Sequence, residues 1–177
     1  MKAHGAMYRN IITGLLLAAA PAAAVAEWAV ITRPGTDNST TTRVAHTVNK
    51  DGYSLEIYRD TNNVIRIRFG MNKLDRLNGK NCPTYQIDNH RARNRSINDA
   101  QCLSQNNWAE YVLGYLNDDQ VTSTSMLNLM NGNTITYRFI LQDYSYSETS
   151  FSLAGSKRIL QDVLGKNLAV STEKDLP

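Results

Sequence analysis

Apolar and polar residues alternate with a period of two along much of the chain, and the alternation predicts strands. From Tyr53 to Arg59, Leu55 and Ile57 alternate with Ser54, Glu56 and Tyr58. From Val64 to Phe69, Ile65, Ile67 and Phe69 alternate with Arg66 and Arg68. The register of this hairpin follows from burial: both apolar sets face the core, so paired residue numbers sum to an even value. An odd loop satisfies that condition, and Thr61-Asn62-Asn63 fits, with Asn63 in the left-handed position. The predicted pairs are Leu55 with Phe69, Ile57 with Ile67, Glu56 with Arg68 and Tyr58 with Arg66. Glu56 and Arg68 then form an exposed pair of opposite charge, which accounts for the arginine without a ligand.

Glu27 to Thr32, Thr41 to Val48, Trp108 to Leu116 and Thr149 to Leu153 are further strand candidates, and Thr84 to Asp88 is a short one. In Thr134 to Leu141, Ile135, Tyr137, Phe139 and Leu141 share one face. Two segments change period. Hydroxyls at Thr122 to Ser125 precede Met126, Leu127, Leu129 and Met130, with Gly132 as the stop. Gly155-Ser156 precedes Lys157 to Leu164, where Ile159, Leu160, Val163 and Leu164 make one stripe closed by Gly165. Both are short helices, and the second, marginal in water by itself, must dock on the sheet. Residues 70–108 carry little periodicity, and a stretch so long in a compact domain is usually functional, tethered or both. The predicted fold is mainly β: a small antiparallel β-sandwich or half-open barrel of about seven strands with two short helices, one closing an end.

The N-terminus reads differently. Lys2 and Arg9 precede the almost wholly apolar or small Ile11 to Val25, and Ala24-Val25-Ala26 suits a signal peptidase. Residues 1–26 are therefore expected to be a secretory signal, 27–170 a single β-rich domain and 171–177 a loose tail. The expected destination is the periplasm or the exterior. Of the 177 residues this leaves 151, with 17 basic and 16 acidic side chains. So balanced a charge excludes a histone-like polycation and a strongly acidic solvating chain. No later segment approaches the roughly 20 apolar residues of a membrane-spanning helix. An exported chain with two cysteines predicts a Cys82–Cys102 disulfide, worth about 3 kcal/mol for a loop of this size.

Charge is unevenly spread. Residues 66–95 hold eight basic side chains against Asp75 and Asp88, whereas residues 99–177 hold five basic against nine acidic. His90-Arg91-Ala92-Arg93-Asn94-Arg95 is the densest basic spot, inside the presumed disulfide loop. If the segment is extended, Arg91, Arg93 and Arg95 project on one side, and their forks suit phosphate, sulfate or carboxylate. A solvated loop paired with the acidic half is the plainer account. Nucleic acid is not an expected partner, because aromatic residues are not interleaved with these arginines and the compartment is wrong. Tyrosines form a second concentration: Tyr111, Tyr115, Tyr137, Tyr144 and Tyr146. They suit an interface or a carbohydrate surface, and they are also good strand residues.

Catalytic signals are sparse. The processed chain has two histidines, His46 and His90, and no nucleophile elbow, phosphate loop, zinc-protease motif or paired-cysteine knuckle. Asp118-Asp119 fits a solvated turn better than a metal pair, and His46 fits a strand surface better than a base. No cofactor and no metal are expected.

Trp28, the short strands, the cysteine-containing polar middle, Met126-Leu127-Asn128-Leu129-Met130-Asn131-Gly132-Asn133 and Phe151-Ser152-Leu153-Ala154-Gly155-Ser156 together resemble the invasion-associated locus B family of bacterial exported proteins. The resemblance covers mainly residues 108–165 and more loosely 28–70. Family members commonly carry a further cysteine after the first tryptophan, where this chain has Val30-Ile31-Thr32, and a glycine-phenylalanine pair where this chain has Gly155-Ser156. The resemblance implies an exported β-rich domain linked by family name to host-cell invasion, with no catalytic residues to carry over.

The function expected is a non-enzymatic exported binding or accessory protein that docks another protein or a cell-envelope component. A recognition module for an anionic lipid or glycan phosphate, using the arginine loop, is the alternative, and an unrecognised hydrolase is a third. A Tyr-rich or apolar patch would favour docking. Converging carboxylates, or His90 beside an acid, would favour hydrolysis.

Overall fold

The computed structural model describes residues 27–34, 41–93 and 102–172. The expected signal segment 1–26 and most of the expected tail lie outside them. The strands are β1 (Ala29–Pro34), β2 (Thr41–Val48), β3 (Ser54–Arg59), β4 (Val64–Gly70), β5 (Thr84–Ile87), β6 (Cys102–Ser104), β7 (Trp108–Tyr115), β8 (Gln120–Thr122), β9 (Thr134–Ile140), β10 (Tyr146–Ser152) and β11 (Ala169–Ser171). The helices are α1 (Thr124–Asn131) and α2 (Ser156–Leu164). An antiparallel six-stranded sheet has the order β1-β2-β3-β4-β7-β6, and a second sheet the order β10-β9-β5. A parallel pair, β11-β8, makes a third small sheet. The two main sheets pack as a β-sandwich that does not close into a barrel.

The hairpin register derived from burial is the one observed. Leu55 faces Phe69, Ile57 faces Ile67, Glu56 faces Arg68 and Tyr58 faces Arg66. Asn63 sits at φ 59°. The Asp60 N–H donates to the Val64 carbonyl at 3.0 Å and the Asn63 N–H to the Asp60 carbonyl at 3.1 Å, closing a three-residue loop. Strands β6, β8 and β11 escape the sequence pattern because three residues are too few to show a period. Strand β11 also reaches Ser171, one residue past the expected domain boundary.

Aromatic rings join the sheets. Phe69 of β4 stacks on Tyr137 of β9 at 4.5 Å between centroids, and Phe151 of β10 meets both rings edge-on. Rings of this kind add stabilisation beyond their buried area. Trp28 donates its indole N–H to the Ser152 carbonyl at 2.9 Å, tying the start of the domain to β10. Helix α1 begins at Ser123, whose hydroxyl accepts from the Met126 N–H at 3.2 Å. Helix α2 buries Ile159, Leu160 and Leu164, as its stripe requires, and Ser156 binds the Leu129 carbonyl of α1 at 2.7 Å.

Candidate functional site

The outward face of the six-stranded sheet carries an array of charge. Across neighbouring strands His46, Glu56, Arg68 and Glu110 lie in one row, and Val44, Tyr58, Arg66 and Val112 in the next. With Arg33 and Asp60, all of these residues except His46 and Val112 line a recess of about 520 Å³. Strand alternation puts them there: Leu55, Ile57, Ile65, Ile67 and Tyr111 point the other way, into the core.

The bonding within the recess differs from the sequence expectation. Glu56 and Arg68 are register neighbours, yet Glu56 is buried and pairs with Arg33, not with Arg68. Arg68 instead binds Glu110, at 2.9 Å from Nε and 2.8 Å from Nη2, and donates to the Tyr58 hydroxyl at 3.0 Å. Its guanidinium also lies over the Trp108 ring, 4.8 Å from the centroid. Arg66 bridges Asp60 at 2.7 Å and Glu110 at 3.4 Å. The two strands could be paired from sequence, but their partners Glu110 and Arg33 come from β7 and β1. Only the sheet order reveals those contacts.

Burial sorts the charges by depth. The Glu56 and Glu110 side chains are 4% and 7% exposed, while Arg33, Arg66 and Arg68 are 46%, 25% and 30% exposed. The floor is anionic and the rim cationic. Burial, then the bond to Glu110, pushes the Tyr58 phenol far above its ordinary pKa, so it remains a donor at neutral pH. Burial works to raise Asp60, but the Arg66 guanidinium and the Val64 and Asn62 N–H groups outweigh it and hold the carboxyl low. Glu56 Oε2 is fully buried and has no hydrogen-bond partner among the described residues.

The arginine loop is only partly described. Cys82 and Cys102 are joined, with Cα atoms 6.2 Å apart. Arg93 donates its backbone N–H to the Tyr85 carbonyl at 2.7 Å, so this part of the loop lies against β5. Arg91 and Arg93 are described; Arg95 lies outside the described residues. His90 is exposed, and Gln86 donates to its carbonyl at 3.0 Å. His46 is half-buried in β2, and burial lowers its pKa despite the nearby Glu56. Asp118 and Asp119 are exposed, Asp118 at φ 50°. Among the described residues no group of acids, histidines and cysteines is arranged to hold a metal. No helix there is long and apolar enough to cross a membrane.

The tyrosines divide. Tyr111 and Tyr137 are core residues, whereas Tyr115, Tyr144 and Tyr146 are exposed. Tyr144 ends the β9–β10 hairpin loop. The Leu141 N–H donates to Ser145 at 2.8 Å and the Tyr144 N–H to Leu141 at 2.9 Å, the same pattern that closes the Asp60–Val64 loop. Asn63 fills the left-handed position in that loop; here Tyr144 does, at φ 67°. The other left-handed positions outside glycine are Asp88 and Asp118, so tyrosine is the exception among the described residues. Segment 76–78 runs antiparallel beside 140–142, with Leu77 bridged to Leu141 and Gln142 donating to the Arg76 carbonyl at 2.9 Å. Leu74, 91% exposed, and Tyr144, 74% exposed, are the most exposed large apolar side chains among the described residues. Both strands of this hairpin were legible in the sequence, but its left-handed residue was not.

Comparison with known proteins returns no match: no family model, no curated protein and no solved structure is similar to this chain.

Proposed function

We propose that this is a non-enzymatic exported binding protein that docks a partner protein in the cell envelope through the Tyr144 hairpin tip. One observation carries the proposal: an exposed tyrosine in a left-handed position that the sister hairpin gives to Asn63. A bulky residue held there costs about 1–3 kcal/mol, and strain of this kind concentrates at functional positions. Tyrosine supplies stiff, amphipathic contact area, which suits an interface. The disulfide fits an oxidising compartment, and the resemblance to the invasion-associated locus B family points to the same kind of protein.

The converging carboxylates do not favour hydrolysis. Glu56, Asp60 and Glu110 are each bonded to a guanidinium, so each is engaged in holding an arginine. Their arrangement serves recognition better than proton transfer. The test is capture from the organism's own envelope by processed protein, comparing wild type with Tyr144→Gly and Tyr144→Asn. The proposal expects one discrete partner that both variants lose. Equal capture by all three proteins, or a partner lost equally on Arg91→Ala, would overturn it.

A further inference from the structure

We infer that the recess on the outward face of the six-stranded sheet is a second binding site, for a small carboxylate that carries its own hydrogen-bond donor. Three features of the recess define that chemistry. Its most exposed charged groups are the Arg33, Arg66 and Arg68 guanidiniums, so a ligand meets cations first. Guanidinium forks match a carboxylate, and Glu110 and Asp60 hold Arg66 and Arg68 in place beforehand. At the floor, Glu56 is buried and keeps one carboxylate oxygen without a partner among the described residues. An unpaired buried carboxylate oxygen is costly, and a donor that reaches it removes the cost.

Charge balance narrows the class. The three arginines are matched by Glu56, Asp60 and Glu110, so the site as a whole is formally neutral. A polyanion would meet three acids beneath the rim. A monoanion that brings a hydroxyl or ammonium group satisfies rim and floor together. The volume, about 520 Å³, falls within the usual range for small-ligand sites. Arg33 is paired with Glu56 and is the most exposed of the three arginines.

Two ligand sources share this chemistry: acidic sugars, whose donor is a hydroxyl, and amino acids, whose donor is an ammonium. Chemical-shift titration of the processed protein with D-glucuronate, L-alanine, acetate and D-glucose separates them. The expected result is saturable shifts at Glu56, Tyr58 and Arg68 with glucuronate or alanine, at least about tenfold tighter than with acetate or glucose, the factor that one charge-assisted hydrogen bond supplies. Glu56→Gln presents an amide N–H₂ in place of an acceptor oxygen and should weaken that ligand by about tenfold. The acetate comparison needs no variant, so it stands even if Glu56→Gln fails to fold. No binding by any probe, acetate or glucose binding as tightly as the donor-bearing acids, or a folded Glu56→Gln with unchanged affinity would overturn the inference.

Discussion

Replacing Tyr144 with glycine should make the protein more stable. An L-residue in the left-handed region costs about 1–2 kcal/mol, because Cβ crowds the following carbonyl oxygen. Glycine removes that cost and adds about 0.5–1 kcal/mol of backbone entropy lost on folding. The side chain is 74% exposed, so little buried area is lost with it. The net gain is about 0–1.5 kcal/mol, or up to roughly 6 °C in the thermal midpoint for a domain of this size. Tyr144→Asn, which copies Asn63 of the sister hairpin, should behave similarly. Paired thermal and urea unfolding of wild type and both variants measures the effect. A loss of about 1 kcal/mol or more on either substitution would mean that Tyr144 holds the hairpin together, and the strain argument would fail. A gain in stability with undiminished partner capture would leave the strain real and the docking role wrong.

Four further tests probe the rest of the account. Ile67→Ala should cost about 2–5 kcal/mol in denaturant unfolding, as a fully buried core residue. Arg68→Ala should cost about 1–3 kcal/mol, more than the 1 kcal/mol or less of an exposed pair, because it strips partners from the buried Glu110; a cost near zero would show the network to be ornamental. Tyr137→Phe should be neutral or gain about 1 kcal/mol, since the buried Tyr137 hydroxyl has no partner, while Tyr111→Phe should lose about 1 kcal/mol with its bond to the Pro83 carbonyl. Burial depresses the His46 pKa, so the unfolded chain binds its proton more readily than the folded one. That contribution is complete above about pH 6.5 and is lost as pH falls from there through the folded value. His46→Gln should flatten stability against pH in that window, and an unchanged slope would contradict the assignment.

What was legible in the sequence was whatever a period or a breaker encodes. The β3–β4 register followed from one parity condition, down to Asn63. Both helices were visible because hydroxyls or glycines bracket an apolar stripe, and Ser123, Gly132 and Gly165 serve as the caps. The Cys82–Cys102 bridge followed from two cysteines and the expectation of export. The recess was not legible in the same way. Strand alternation put Glu56, Arg66 and Arg68 on the outward face, but their bonds depend on β1 and β7 lying where the sheet order places them. Charge alternation in a strand looks the same whether solvent or a buried glutamate lies opposite. Tyr144 was hidden for another reason: a three-residue hairpin with tyrosine third breaks the residue preference that makes such loops recognisable.

The central claim is tested most directly by a photo-crosslinking amino acid at position 144 of the protein expressed in its own cells. Position 115 serves as control, because Tyr115 is also exposed but belongs to the six-stranded sheet. Docking through the hairpin tip predicts one discrete adduct with an envelope protein from position 144 and none from position 115. No adduct at 144, or the same adducts from both positions, would contradict it.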